Sequence, residues 1–156
     1  MEREIERMVR MLEKTFDGYP WYGNSVQATL RAVDDEKISA THGPTHSMVE
    51  LILHMVAWRT YVMRRLLGDS TYKITDETNF PEPTTWRDAL DKLVTSQRDL
   101  IEVIKKFPEE KLDDPVPEGE HKYTFYTLIH GIIQHDIYHL GQIAYINKSF
   151  MKHKDE

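Results

Sequence analysis

The chain has 156 residues, of which 40% are hydrophobic and 29% charged, and its net charge is -6. This balance is typical of one soluble globular domain over residues 1–156. The acidic net charge argues against broad nucleic-acid binding. No apolar run is long enough to span a membrane. The absence of cysteine excludes disulfides, zinc–thiolate sites and cysteine nucleophiles. We expect a cytoplasmic protein, because the charged N-terminus lacks the apolar core of a signal peptide.

Helical periodicity first appears over residues 2–17, where apolar side chains recur every three or four positions. The apolar stripe consists of Ile5, Met8, Val9, Leu12 and Phe16. Gly18 and Pro20 follow this segment, and both residue types commonly end helices. We therefore predict a first long helix over 2–17 and, in the linker after it, one short helix near 25–33.

The second long helix is predicted over residues 48–68. Ser47 and Glu50 have the spacing of a capping box, in which each side chain bonds the backbone N–H of the other residue. Ser47 is therefore the expected N-cap. Gly68 is the expected stop, because glycine readily adopts the left-handed conformation that ends many helices.

The last two long helices are predicted over residues 85–106 and 124–148. The inward-facing side chains of the first are Trp86, Leu90, Leu93, Val94, Ile101 and Ile104, and those of the second are Leu128, Ile132, Ile143 and Ile146. No segment shows the alternation of apolar and polar residues that is typical of a strand. The sequence thus predicts an all-α fold, a four-helix bundle with long first and last connections.

The last predicted helix carries two histidines that can share one metal ion. His135 and His139 are four residues apart, so both lie on one helix face with Cβ atoms about 6 Å apart. The same spacing is used by zinc peptidases of the H-E-x-x-H type. Two ligands from one helix do not make a tight site, so a third must come from elsewhere in the fold.

His54 is the natural third ligand. It lies near the middle of the second predicted helix, among apolar residues, and helix bundles build metal sites from inward-facing side chains of opposing helices. Three imidazoles leave a coordination position for water or substrate, which is typical of a catalytic metal. The ligand set suits zinc, nickel, copper or iron. Alternatively, the histidines are ordinary core or boundary residues that bind nothing.

The other histidines fit this site less well. His130 lies five residues before His135 and points about 140° away from it around the helix. His46 precedes the second helix and either lines the mouth of a pocket or ends a loop. Three more are expected at the surface: His42, His121 and His153.

Three polar residues are candidates for a supporting role around the metal. Glu50, one turn before His54, either supports the site or only completes the capping box. Asp136 occupies the position of the catalytic glutamate in H-E-x-x-H, but its direction differs by about 100° from that of its neighbour. It either orients His139 or a bound water, or it is a surface or inter-helix aspartate. Gln142 shares the helix face of His139 and can donate or accept a hydrogen bond in the pocket.

Two tryptophans, Trp21 and Trp58, are candidates for the pocket wall. Aromatic side chains at such positions are also common in an ordinary core. A peptidase is disfavoured, because such enzymes hold their substrate along a strand edge and no sheet is predicted.

Three stretches make the sequence resemble the DinB-like, or YfiT-like, family of metal-dependent bundle proteins. They are PWYGNSV at 20–26, HSMVELILHMVAWRTYVMRRLLGD at 46–69 and HGIIQHDIYHLGQI at 130–143. The resemblance covers nearly the whole chain and is most specific in the last stretch. It implies a four-helix bundle with a three-histidine metal site, whose ligands fall on His54, His135 and His139.

The resemblance also implies a homodimer with nickel, zinc or iron in the site, and some relatives are thiol transferases that use bacillithiol or mycothiol. We therefore expect a metal-dependent enzyme that activates a small thiol or water for attack on an electrophilic small molecule. Since the chain has no thiol of its own, a low-molecular-weight thiol would have to enter as cosubstrate. The alternatives are a metal-dependent hydrolase and a non-catalytic metal-binding protein of the stress response.

Overall fold

Four long helices form the framework of the computed structural model, which describes residues 3–38, 45–117 and 122–149. They are α1 (Glu4–Asp17), α3 (Met48–Leu66), α5 (Trp86–Lys106) and α6 (Phe125–Ser149), with the short helices α2 (Val26–Arg31) and α4 (Asp76–Asn79) between them. Two 3-10 turns lie at Asp35–Lys37 and Glu109–Lys111. No strand occurs within these described ranges, so the predicted all-α bundle is confirmed. Three histidines that are predicted to lie at the surface fall outside the described residues: His42, His121 and His153.

The boundaries of α3 follow from local hydrogen bonds. Ser47 and Glu50 form the predicted capping box, in which the Ser47 N–H donates to Glu50 Oε2 at 2.7 Å and the Glu50 N–H donates to Ser47 Oγ at 3.3 Å. At the other end, Gly68 has a positive φ of 86° and the Asp69 N–H donates back to the carbonyl of Arg64. This pattern is a Schellman motif, so the predicted start and stop are both confirmed.

The apolar stripes of the long helices form the core. All the predicted inward positions of α1 and α6 are buried: Ile5, Met8, Val9, Leu12, Phe16, Leu128, Ile132, Ile143 and Ile146. In α5, however, Val94 is 48% exposed, so its predicted inward position is wrong. It follows Leu93 by one residue, about 100° around the helix, and only Leu93 faces the neighbouring helices.

A polar layer crosses the bundle between two apolar clusters. Arg59 of α3 donates through Nη2 to Asp136 Oδ2 of α6 at 2.6 Å, and the same nitrogen lies 3.4 Å from Oε1 of Gln97 on α5. The Gln97 amide in turn donates to the carbonyl of Leu12 on α1 at 3.4 Å. One connected network therefore touches all four long helices at the same level.

The ion pair in this layer is fully buried, with side-chain exposures of 0% for Arg59 and 1% for Asp136. Two apolar clusters lie on either side of it, one containing Leu100, Ile104 and Ile129, the other containing Met48, Ile52 and Leu93.

None of the helices in the described part of the chain combines the length and apolar character that crossing a bilayer requires.

We expect Arg59→Met to lower the free energy of unfolding by about 3–5 kcal/mol, because it leaves the Asp136 carboxylate buried without its partner. The measurement is urea unfolding followed by circular dichroism. Arg98→Met is the matched control, since Arg98 is exposed in the middle of α5 and should change stability by less than about 0.5 kcal/mol.

The double variant Arg59→Met/Asp136→Leu should recover most of the lost stability, because two apolar side chains leave no buried charge. If Arg59→Met unfolds at the same urea concentration as Arg98→Met, the ion pair does not have the structural role described here.

Candidate metal centre

Three histidine side chains converge between α3 and α6. Nε2 of His135 lies 3.1 Å from Nε2 of His54 and 3.1 Å from Nε2 of His139. The possible ligand atoms of the three residues all lie within 4.8 Å of one another. Two nitrogens bound to one zinc ion at about 2.05 Å in tetrahedral geometry are about 3.3 Å apart. The spacing therefore suits a single cation that all three rings bind.

Hydrogen bonds at the far nitrogens hold two of these rings in the orientation that metal binding requires. Nδ1 of His54 lies 2.8 Å from the backbone carbonyl oxygen of Asn79, and Nδ1 of His139 lies 2.6 Å from Oε1 of Gln142. Both oxygens accept, so each Nδ1 must carry the proton and each Nε2 presents its lone pair to the centre of the cluster. Nδ1 of His135 is buried and has no hydrogen-bond partner among the described residues.

Burial keeps the three imidazoles neutral. It lowers the pKa of His135 to about 3, with further lowering from the nearby His139 and His54 and from Arg59. Burial is also the main reason why the pKa values of His54 and His139 fall below their usual range. The neutral imidazole is the form that binds metal. The Nε2 lone pairs of His54 and His139 point to the centre of the cluster, where Nε2 of His135 lies 3.1 Å from each of them.

The segment after α3 supports His54 from the side. The Phe80 ring stacks on the His54 ring at a centroid distance of 4.3 Å, and the His46 ring stacks on the other side of this column at 3.6 Å from Phe80. Trp58 Nε1 donates to the side-chain oxygen of Asn79 at 3.0 Å. This bond fixes the residue whose carbonyl accepts from His54.

The predicted supporting residues have different roles. Gln142 contacts His139, as its shared helix face suggested. Glu50 completes the capping box, and its remaining oxygen lies 3.6 Å from Nδ1 of His46 rather than against one of the three converging rings. Asp136 is an inter-helix aspartate, because it is buried against Arg59. The alternative that it lies at the surface is wrong. Burial raises its pKa to about 6, against the lowering effect of the guanidinium.

The two tryptophans have opposite outcomes. The Trp58 ring lies 5.7 Å from the His135 ring and lines a cavity beside it. Trp21 is 101% exposed, so the expectation that it walls the pocket or belongs to the core is wrong. It lies in the loop before α2, and the described residues of the chain leave its ring in solvent.

Two cavities lie near the histidine cluster, but only the first is lined by one of its three residues. The first, of about 620 Å³, reaches His135 and is lined mainly by α3, α6 and the segment after α3. The second, of about 530 Å³, is lined by His46 and Gln142 among others. Both volumes fall in the range of small-molecule sites, about 300–1,000 Å³. The cluster can therefore be reached by a substrate.

Comparison with known proteins gives the same fold. The family model described as the DinB superfamily matches residues 23–143. A crystal structure of a DinB-like protein from Bacillus subtilis, YjoA, superimposes with a TM-score of 0.65 over 94% of this chain and 94% of its own, at 16% sequence identity. At that identity the similarity concerns the fold. No functionally curated protein matches the chain.

We expect the protein purified without a histidine tag to contain close to one equivalent of a divalent metal, and His135→Ala to lose it, because two imidazoles bind a cation much more weakly than three. Elemental analysis measures the metal content. His130→Ala is the matched control, since His130 lies on the same helix with its ring against Tyr126. Equal metal content in His135→Ala and the wild type would rule out the cluster as the binding site.

Gln142→Leu should weaken metal binding about 10- to 100-fold, because it removes the acceptor that orients the His139 ring. Competition with a chromophoric chelator measures the affinity. Gln134→Leu, an exposed position on the same helix, is expected to bind metal like the wild type. An unchanged affinity in Gln142→Leu would mean that this hydrogen bond does not position the ligand.

Proposed function

Since the chain belongs to the DinB superfamily, we propose that it is a metal-dependent enzyme whose single divalent cation is bound by His54, His135 and His139. The observation that carries the proposal is the convergence of three Nε2 atoms, with 3.1 Å between neighbours, beside a cavity of about 620 Å³. Zinc, nickel and iron all suit three neutral imidazoles. The cytoplasmic location and the homodimer are further predictions of the sequence and of the resemblance.

Three protein ligands leave a coordination position open, and an open position distinguishes catalytic from structural metal sites. A bound divalent cation supplies Lewis-acid chemistry, which lowers the pKa of a thiol or a water molecule that binds to it. The protein contributes orientation and shelter. Asn79 and Gln142 hold two imidazoles in the required tautomer, and the Trp58 ring covers one side of the site next to His135.

We propose thiol transfer as the reaction, with a small molecule as the substrate and a low-molecular-weight thiol as cosubstrate. The sulfur forms a bond to an electrophilic carbon, the bond from that carbon to the leaving group breaks with its electron pair on the leaving group, and the thiol proton goes to solvent. In an epoxide the leaving group is the ring oxygen, which stays attached to the product and takes up a proton. The thiol must come from outside, because the chain contains no cysteine. Hydrolysis is the second candidate, and it differs only in using water as the nucleophile.

Turnover of a panel containing an aryl chloride, an epoxide and an ester, each with and without added cysteine, tests this proposal. We expect metal-dependent turnover that requires the thiol and falls at least about 100-fold in His135→Ala, because the nucleophile is then no longer activated. His130→Ala should retain activity. Ester cleavage without the thiol would identify a hydrolase instead. Absence of turnover from fully metal-loaded protein would contradict catalysis and leave a metal-binding role.

A further inference from the structure

The cavity beside His135 contains a buried cationic side chain that the metal chemistry does not use. Arg65, in the last turn of α3, is only 3% exposed and forms part of the cavity lining. Its Nη1 donates to the backbone carbonyl of Asp69 at 2.9 Å, and its guanidinium carbon lies 4.8 Å from the centre of the Tyr61 ring. A guanidinium is charged at any physiological pH.

This charge is incompletely satisfied. Among residues 3–38, 45–117 and 122–149, the buried Nε of Arg65 has no hydrogen-bond partner and no carboxylate lies within ion-pair distance of the guanidinium. Arg59, six residues earlier on the same helix, also has buried N–H groups without a partner, but its charge is met by the Asp136 carboxylate at 2.6 Å. A buried charge without a counter-charge is costly, so an anion entering the cavity would gain a strong interaction.

The rest of the lining matches an anionic ligand with an apolar body. Lys73 adds a second cation, and none of the described lining residues is acidic, although the chain as a whole has a net charge of -6. The hydroxyls of Tyr61 and Tyr123 lie 3.0 Å apart and provide polar contacts. The remaining wall is largely apolar and includes Val62, Ile74, Leu128 and Ile132.

Arg65 and the histidine cluster lie along one face of α3. His54, Trp58, Tyr61 and Arg65 follow one another at intervals of four, three and four residues, which places them on one helix face. Ring contacts connect them, with 5.4 Å between the Trp58 and Tyr61 centroids. Arg65 follows His54 by eleven positions, which correspond to about 16 Å along the helix axis. A single elongated molecule can therefore extend from the histidines toward the guanidinium.

We propose that this cavity binds a small molecule with an apolar body and a terminal carboxylate, and that the carboxylate pairs with Arg65. This inference rests on the proposed function, because it makes the carboxylate compound the electrophilic substrate of that enzyme. The carboxylate lies at Arg65, and the reactive carbon at the other end of the molecule lies at the metal. Arg65 then determines specificity for a charged end group and orients the substrate along α3.

Isothermal titration calorimetry with octanoate and octan-1-ol tests the carboxylate site without knowledge of the substrate. Both probes have the same eight-carbon body, and only octanoate carries the charge. We expect wild-type protein to bind octanoate at least about tenfold more tightly than octan-1-ol, because the alcohol cannot form a charge-assisted hydrogen bond. This comparison needs no variant, so it remains decisive if a substitution at Arg65 prevents folding. Equal affinities, or no octanoate binding, would overturn the proposal.

Arg65→Gln should weaken octanoate binding about 10- to 100-fold and leave octan-1-ol binding unchanged, with folding checked by circular dichroism. Arg65→Lys, which keeps the charge, should recover part of the affinity. Arg64→Gln is the matched control, because it removes the same charge from an adjacent residue whose side chain is 55% exposed. Octanoate binding that is unaffected by Arg65→Gln would also overturn the proposal.

A carboxylate can also bind a metal directly, so the titrations are repeated on protein treated with EDTA. We expect octanoate binding, and its dependence on Arg65, to persist without the metal. If EDTA abolishes binding and Arg65→Gln has no effect, the carboxylate binds at the histidines and the Arg65 site is wrong. The EDTA-treated arm is independent of turnover, so failure of the proposed enzyme activity and failure of the carboxylate site are distinguishable.

Discussion

The buried ion pair between Arg59 and Asp136 is the constraint on which the rest of this structure depends. Its two partners are 77 residues apart in sequence and lie on α3 and α6, where water cannot replace either one. Apolar side chains tolerate small axial shifts between helices, whereas a buried guanidinium and a buried carboxylate can pair in one register only. Gln97 extends the pairing to α5 and, through the carbonyl of Leu12, to α1.

The same register places the histidines opposite one another. His135 directly precedes Asp136, and His54 lies five residues before Arg59, so fixing the ion pair also fixes the height of the imidazoles on their two helices. The polar residues form one layer at the middle of the bundle, and the apolar clusters above and below exclude water from most of it, while the cavity of about 620 Å³ reaches His135. That exclusion keeps the imidazoles neutral, because burial penalises their charged form. Stability and the candidate site therefore have a common physical origin.

Asp136 illustrates why a sequence motif does not define its chemistry. Its position after His135 is that of the catalytic glutamate in H-E-x-x-H. Its side chain, however, points about 100° away from that of His135 around the helix and pairs with Arg59. The supporting groups come from elsewhere. The Asn79 carbonyl and the Phe80 ring belong to the segment after α3, and nothing in their residue types predicts contact with His54, since any residue offers a carbonyl. Trp21 has the right residue type, but its loop leaves the ring in solvent.

By itself the sequence determined the four long helices, the start and stop of α3, and the candidate ligands, because these depend on interactions within a few residues. Ser47 caps α3 through Glu50 three residues away, and His135 and His139 share a face because they are one turn apart. The tertiary structure alone decided which side chains face solvent and which distant groups meet. Val94 faces solvent, Asp136 pairs with Arg59, and Arg65 lines the cavity that reaches His135. Such contacts depend on how separate helices are rotated and aligned against one another, and local periodicity fixes the face of a helix only to within about one residue, or 100°.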